Sequence, residues 1–181
     1  MKEGDRLPKL IENLRENILA AAKAELLARG YSSLNIRGVA KECGIAVGTV
    51  YNYFPSKDML AASVMLSDWL PALERARAAC ASAANVPEAL SALYGEIEAY
   101  YCVYRSVWEG YTFTGSGKTE YSKRHLQLVT QLAGCLRPAL ERLGVAPAKD
   151  MAIFLAENVL ICAGNSDMTF DMLMRILGRI F

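Results

Sequence analysis

The sequence is poor in the side chains on which most catalytic and metal centres depend. Its 181 residues include a single histidine, His125, and five cysteines, which stand singly at positions 43, 80, 102, 135 and 162. With one histidine no Ser-His-Asp set is plausible, and an odd, dispersed set of cysteines does not resemble a zinc site or a disulfide framework. We therefore predict no enzyme, no metal and no cofactor, with buried thiols in a reducing cytoplasm.

Long apolar runs and a strong charge excess are also missing. No run of about eighteen uncharged apolar residues exists, and the N-terminus lacks the apolar stretch of a signal peptide, so we expect no membrane span and a cytoplasmic protein. The net charge is only +1, and the first sixty residues hold nine basic and seven acidic side chains. This balance argues against a polybasic binder, so any contact with nucleic acid must be local.

No segment alternates like a β-strand, and nearly every segment repeats its apolar residues with the 3.6-residue period of a helix. Hydrophobic residues make up 53% of the chain, which is typical of a globular protein. We predict an all-α fold of eight or nine helices. The expected helices span about residues 10–29, 36–43, 47–53, 57 onward with a kink or break at Pro71, 87–111, 118–143, 149–163 and 167–180.

Residues 36–53 fit a helix-turn-helix, in which two short helices cross at a steep angle. The crossing needs a small residue where the helices touch and a glycine at the turn, and Ala40 and Gly44 meet these needs. The apolar residues suited to lock the pair together are Val39, Cys43, Ile45, Val50 and Tyr53. The residues between them, such as Thr49 and Asn52, cannot all be core, and their chemistry suits phosphates or base edges of a DNA duplex.

The stretch from Asn35 to Leu60 closely resembles the DNA-binding signature of the tetracycline-repressor (TetR) family. Its most diagnostic part is Gly48-Thr49-Val50-Tyr51-Asn52-Tyr53-Phe54, followed by Ser56-Lys57 and Leu60. The resemblance covers about residues 10–65; beyond them only the length and the helical layout match. It implies an N-terminal three-helix DNA-binding domain of residues 1–56 and a helical effector-binding and dimerisation domain of residues 57–181.

The resemblance also implies roles for single residues, which contact phosphates or bases or cap the first short helix. The implied DNA-binding residues are Asn35, Arg37, Ala46, Val47, Gly48, Thr49, Tyr51, Asn52, Tyr53 and Lys57. Two positions depart from the family pattern. Ala46 replaces the usual serine and removes an N-cap oxygen, typically worth about 1 kcal/mol. Gly38 replaces the usual acidic residue and weakens its helix by about 1 kcal/mol.

An aromatic stripe marks the middle of the chain. Core packing explains such a stripe by default, and the alternative is a pocket wall for a small apolar or aromatic effector, as the resemblance implies. On that alternative the pocket residues are Tyr94, Ile97, Tyr101, Tyr104 and Trp108.

The last two predicted helices are apolar on several faces, and each apolar face must be covered by other side chains. Together they suggest a four-helix bundle across a two-fold axis, as in the family, so we predict a homodimer. The expected interface residues are Phe154, Leu155, Val159, Phe170, Leu173 and Leu177.

These expectations describe a transcriptional regulator, a repressor of a palindromic DNA operator that a small-molecule effector releases by shifting the population of two conformations. The helix that begins at Lys57 is expected to transmit this change between the effector pocket and the DNA-binding domain, with Pro71 as its hinge. One alternative is a helical-bundle enzyme or small-molecule-binding protein that no longer binds DNA. Another is a regulator controlled by a protein partner, in which the aromatic stripe is solid core.

Overall fold

The computed structural model describes residues 13–110, 118–164 and 167–179, with the side chains of all of these except 108–110 and 118–124. Within these ranges the chain forms helices and no strand, which confirms the predicted all-α class. The predicted first turn of the first helix, at residues 10–12, lies outside the described residues. The helices are α1 (Leu14–Ser33), α2 (Ile36–Glu42), α3 (Val47–Tyr53), α4 (Lys57–Ser82), α5 (Val86–Gly110), α6 (Lys118–Arg142), α7 (Ala148–Gly164) and α8 (Phe170–Leu177).

The chain divides into two compact units, Met1–Val64 and Met65–Phe181. The first two turns of α4 therefore belong to the N-terminal unit, and its remaining residues belong to the second. The structural division lies eight residues beyond the expected functional boundary at residue 56, which stays a prediction.

The N-terminal unit is built around a small apolar core. Because apolar residues of α1 recur every three or four positions, one face of that helix is buried. The buried side chains of the unit are Ile18, Leu19, Ala22, Leu26, Leu34, Ile36, Val39, Ala40, Val50, Phe54, Leu60, Ala61 and Val64. Three of the five residues predicted to lock the helix pair differ from expectation, since Cys43 and Ile45 are only half-buried and Tyr53 is exposed.

Gly44 ends α2 as predicted, whereas α1 continues beyond its predicted stop at Gly30 to Ser33. Gly30 has φ of 74° and breaks the regular geometry near the end of α1. Gly44 has φ of 65° and closes a Schellman motif: the Ile45 N–H donates to the Ala40 carbonyl at 3.0 Å, and the Gly44 N–H donates to the Lys41 carbonyl at 3.1 Å. This turn separates α2 from α3, so the two short helices are not fused.

Helix α4 begins where the sequence predicts. The Ser56 hydroxyl accepts a hydrogen bond from the Met59 N–H at 3.1 Å, which caps the first turn. The predicted interruption at Pro71 is wrong, because α4 continues through it to Ser82. Pro71 is exposed, so its ring meets solvent, and the helix loses only the one hydrogen bond that proline cannot donate.

The core of the second unit is formed by α5, α6 and α7 together with the second part of α4. Its largest fully buried residues include Leu90, Leu93, Leu132, Leu136 and Leu140. Aromatic and polar contacts tie the helices at the edge of this core: the Trp69 indole N–H donates to the Gln131 carbonyl oxygen at 2.9 Å, and the Trp69 ring meets Tyr100 edge-on at 5.1 Å.

Four of the six predicted dimer residues lie in this same core. Leu155 and Val159 are fully buried, and Leu173 and Leu177 are almost so. A side chain that its own chain already covers has no surface left for a partner, so these four residues are removed from the predicted interface. Phe170 is half-buried and stacks on Tyr94, with ring centroids 4.1 Å apart. Phe154, in contrast, is 53% exposed.

The prediction of buried thiols holds for three of the five cysteines. Cys80, Cys135 and Cys162 are buried, whereas Cys43 is half-buried and Cys102 is exposed. Burial raises the pKa of the Cys80 thiol to about 12, with a smaller contribution from Cys135, so it stays protonated at neutral pH.

Neither a membrane span nor a metal-binding cluster occurs in the described ranges. None of the helices is both long enough and apolar enough to cross a membrane. No cluster of three or more His, Cys, Asp or Glu side chains there is arranged to hold a metal ion.

Gly44 and Gly48 form a matched pair that tests the turn. A Cβ added at either position meets no atom within 4 Å, but only Gly44 has a positive φ. We expect Gly44→Ala to lower the free energy of unfolding by about 1–2 kcal/mol, because an L side chain is strained there. Gly48→Ala should raise it by about 0.5–1 kcal/mol, because alanine favours the helix. Urea unfolding measures both, and equal effects of the two changes would contradict this account of the turn.

Candidate nucleic-acid interface

Helix α3 presents one side to the core and the other to solvent. Val50 and Phe54, four residues apart, are buried. Residues two positions away from Val50 lie about 200° around the helix, so Gly48 and Asn52 face away from the core. Both are exposed, and so is Tyr51.

The other predicted contacts of this region surround that outward side. Tyr51 is 48% and Tyr53 45% exposed, Ala46 is exposed, and Val47 and Thr49 are half-buried. Ala46 stands at the N-cap of α3 and makes no side-chain cap, as predicted. The outward side of α3 is thus available to a macromolecule, which is what the helix-turn-helix prediction requires.

Five of the ten predicted DNA-binding residues line one concave surface of about 560 Å³ in the N-terminal unit. These are Asn35, Arg37, Val47, Tyr51 and Lys57, and they stand beside the hydroxyl-bearing residues Ser32 and Ser33. The concavity carries two cationic side chains and no carboxylate. Its chemistry suits a phosphate, which accepts hydrogen bonds from ammonium, guanidinium, hydroxyl and amide groups.

Lys57 is held at this surface by the end of α1. Its ammonium donates to the Ser32 carbonyl at 3.0 Å and lies 4.5 Å from the centre of the Tyr31 ring. The Tyr31 hydroxyl in turn donates to the Asp58 carboxylate. A lysine ammonium has three donors, so Lys57 keeps capacity for an anion while its position is fixed.

Asn35 and Gly38 shape the other short helix. The Asn35 side chain accepts from the Arg37 N–H at 3.0 Å and caps α2, as expected. At Gly38 a Cβ would stand 3.4 Å from the Glu25 carboxylate oxygens. An acidic residue at position 38 would therefore face Glu25, which gives a physical reason for the departure from the family pattern.

Tyr94, Ile97, Tyr101 and Tyr104, the predicted pocket residues whose side chains the structure describes, do not together line either of the cavities described in the second unit. Tyr104 is fully buried and its hydroxyl donates to the Asp68 carboxylate at 2.8 Å, while Ile97 is buried in the core. Tyr104 also stands beside an open groove of about 270 Å³ between α4 and α5, which Tyr94, Ile97 and Tyr101 do not line. The side chain of Trp108 lies outside the described residues. The assignment of an effector pocket to these residues stays a prediction.

Groups that sequence reasoning missed line this groove. Asp68 and Tyr100 stand at its wall, together with Arg75 and Glu96, whose ion pair measures 2.7 Å. Burial raises the pKa of Tyr100, and burial with the Asp68 hydrogen bond raises that of Tyr104. The sequence holds no signal for this grouping, because it depends on how α4 packs against α5.

An apolar face on α7 and α8 shares only Phe154 with the predicted dimer interface. Its members are Ile153 and Phe154 of α7 with Met172 and Ile176 of α8, all large and exposed. The two helices pack against each other. His125 of α6 pairs with Glu157 of α7 at 2.7 Å, as a surface histidine satisfied by its own chain.

The N-terminal unit is similar to known regulators in sequence. Residues 18–64 match the sequence profile of the family described as bacterial regulatory proteins, tetR family. The chain is 36% identical over 63 residues to the HTH-type transcriptional regulator UidR of Escherichia coli, covering 35% of this chain and 32% of that protein. It is 40% identical over 55 residues to the HTH-type transcriptional repressor KstR of Rhodococcus jostii, covering 30% of this chain and 26% of that protein. The matches thus span about a third or less of these relatives.

The whole chain is similar to a solved structure in fold. The transcriptional regulator FadR of Bacillus subtilis, solved in complex with stearoyl-CoA, aligns with a TM-score of 0.60 at 15% identity. The alignment covers 92% of this chain and 90% of that one. At this identity the likeness speaks for the fold, and it extends through the second unit.

Tyr94 provides a test of the packing in the second unit. Burial, helped by the hydrogen bond to Glu98, raises the pKa of Tyr94 from 10.0 to about 12. Because the unfolded chain loses this proton first, we expect the free energy of unfolding to fall as the pH rises from 10 to 12. Tyr94→Phe keeps the ring on Phe170 and should make this fall shallower.

Urea unfolding at pH 9, 10, 11 and 12 measures the effect. Between pH 7 and 9 the difference in stability between the variant and the parent protein should stay constant. An equally steep fall for both proteins above pH 10 would contradict the burial of this phenol.

Proposed function

We propose that this chain, whose residues 18–64 match the tetR family of bacterial regulatory proteins, is a member of that family and a sequence-specific repressor of transcription. The observation that carries the proposal is the surface formed by the outward side of α3 and the concavity whose side chains suit a phosphate. Outward-facing Gly48 and Asn52 suit a major groove, and Arg37 and Lys57 suit the flanking phosphates.

A homodimer with a palindromic operator is the second part of the proposal. A helix-turn-helix unit contacts one half-site, and two units related by a two-fold axis need half-sites about 34 Å apart. The apolar face on α7 and α8 supports a partner subunit, because monomeric proteins rarely leave several large apolar side chains together in water. We place the interface on Ile153, Phe154, Met172 and Ile176.

Release by a small apolar or aromatic effector is the third part. It is supported by the fold shared with FadR, a regulator solved with stearoyl-CoA. An effector that favours a dimer with wrongly spaced recognition helices lowers DNA affinity by the coupling free energy, commonly about 1–3 kcal/mol. The buried state of Ile97 and Tyr104 implies that such an effector must displace packed side chains or bind beside them.

The rival function is a helical protein that binds or converts a small molecule without DNA. The second unit fits this function as well as it fits a regulator, but the function gives no role to the cationic concavity. The two functions differ in one measurable property. Only the regulator binds particular DNA sequences selectively, with an affinity that falls steeply as the salt concentration rises.

Selection of duplexes from a random library by the purified full-length chain tests the function. We expect an enriched inverted repeat. Lys57→Met should then weaken binding to it by about 1–2 kcal/mol and lower the salt slope by about two, because each subunit loses one phosphate contact.

Lys149→Met is the matched control, since Lys149 is an exposed lysine of α7 in the second unit. It should leave affinity and salt slope unchanged. If no sequence is enriched, or if the two lysine variants behave alike, the proposal that this chain binds an operator through α3 fails.

The interface has its own test. Phe154→Glu should convert the dimer to monomer in sedimentation velocity, because it buries a carboxylate between apolar side chains. Val103→Glu changes a similarly exposed residue of α5, 47% against 53%, and should leave the dimer intact. A dimer that survives Phe154→Glu would remove α7 from the interface.

A further inference from the structure

The recognition helix carries an unusual omission. From Gly44 to Phe54 the chain contains no lysine, arginine, aspartate or glutamate. The outward positions of α3 and its N-cap are instead occupied by small, apolar and amide side chains and by the phenols of Tyr51 and Tyr53. The residues that can meet a groove floor are Ala46, Val47, Gly48, Thr49 and Asn52.

The geometry of α3 ranks these residues. Gly48 and Asn52 stand opposite the buried Val50 and Phe54, so they reach furthest from the core. At Gly48 a Cβ would meet nothing within 4 Å, so nothing inside the protein requires a glycine there. Its absence of a side chain lets the helix lie close to base edges, which brings the Asn52 amide within reach of them.

The chemistry of base edges then limits what this surface can recognise. In the major groove guanine is bound best by arginine or lysine, and cytosine by aspartate or glutamate. Adenine is bound by the paired donor and acceptor of an asparagine or glutamine amide, and thymine by apolar contact with its methyl group. Helix α3 offers the second set and lacks the first.

Resting on the proposed function, we propose that α3 recognises A·T base pairs in each half-site. The Asn52 amide donates to N7 of an adenine and accepts from its N6 amino group, and Ala46 and Val47 pack against the methyl groups of neighbouring thymines. Thr49 bonds either a base edge or a phosphate without choosing between bases.

The guanidinium in the concavity does not alter this assignment. Arg37 lies at the start of α2 and lines the same concavity as Asn35 and Lys57. A cation grouped with an amide and a second cation is arranged for a phosphate, which fixes register and carries no sequence information. Lys41, exposed on α2, is a further charge of this kind.

Selection from a random library with the parent chain and with Asn52→Ala tests the proposal. The parent should enrich adjacent A·T pairs at the centre of each half-site. Asn52→Ala should relax the preference at one position by about ten-fold while retaining its affinity for random duplex. Since Asn52 is exposed, thermal unfolding should be unchanged within error, which separates lost recognition from lost folding.

Lys41→Ala serves as the matched control. It should weaken binding to all duplexes alike and lower the salt slope, with every base preference retained. Base preferences that are the same for Asn52→Ala and the parent would overturn the role of Asn52.

Deoxyuridine in place of thymidine tests the methyl contacts, because it removes one methyl group and changes nothing else in the groove. At the positions next to the Asn52-dependent pair, the exchange should weaken binding of the parent chain by about four-fold. Ala46→Gly should abolish this sensitivity at one of the positions. Equal binding of both duplexes by the parent would overturn the methyl contacts.

The selection also separates this proposal from the function on which it depends. If no sequence is enriched at all, the proposed operator binding fails. If an inverted repeat is enriched but carries G·C pairs where Asn52→Ala acts, the regulator stands and the A·T proposal is overturned.

Discussion

The left-handed turn at Gly44 is the constraint on which the rest of the recognition unit depends. Its two hydrogen bonds, from Ile45 and Gly44 to the carbonyls of α2, end one helix and set the direction of the next. Once that direction is fixed, Val50 reaches the core beside Val39. The same rotation that buries Val50 turns Gly48 and Asn52 outward. The apolar core and the proposed DNA surface are therefore two consequences of one backbone angle.

The parts of the structure that the sequence predicted are those with local causes. The turn at Gly44, the Ser56 cap and the bounds of α2 and α3 follow from a few neighbouring residues, and each agrees to within a residue. Pro71 shows the limit of local reasoning. Local reasoning predicts a kink or a break in α4 there, and the break is absent, because tertiary packing of Trp69, Leu73 and Ala76 outweighs one missing hydrogen bond.

The second unit was harder to predict because its helices are apolar in more than one direction. On α7, Phe154 and Leu155 are adjacent and equally apolar, but one is half exposed and the other fully buried. Periodicity identifies a helix and cannot say which of several apolar faces meets α5 and α6. The same limit applies to the α5 stripe, where Tyr104 bonds Asp68 of α4 and Tyr94 stacks on Phe170 of α8. These partners lie 36 and 76 positions away in the sequence.

A weak net charge is consistent with the proposed function once affinity and specificity are assigned to different residues. Phosphate contacts supply most of the affinity and all of its salt dependence, and a few well-placed cations suffice for each subunit. Arg37 and Lys57 stand where such contacts are needed, with Lys57 held in place by Ser32 and Tyr31. Because those cations lie outside α3, the recognition helix is left without charge. An uncharged helix adds little to nonspecific attraction, so discrimination between sequences depends on how closely its amide and methyl groups fit the groove.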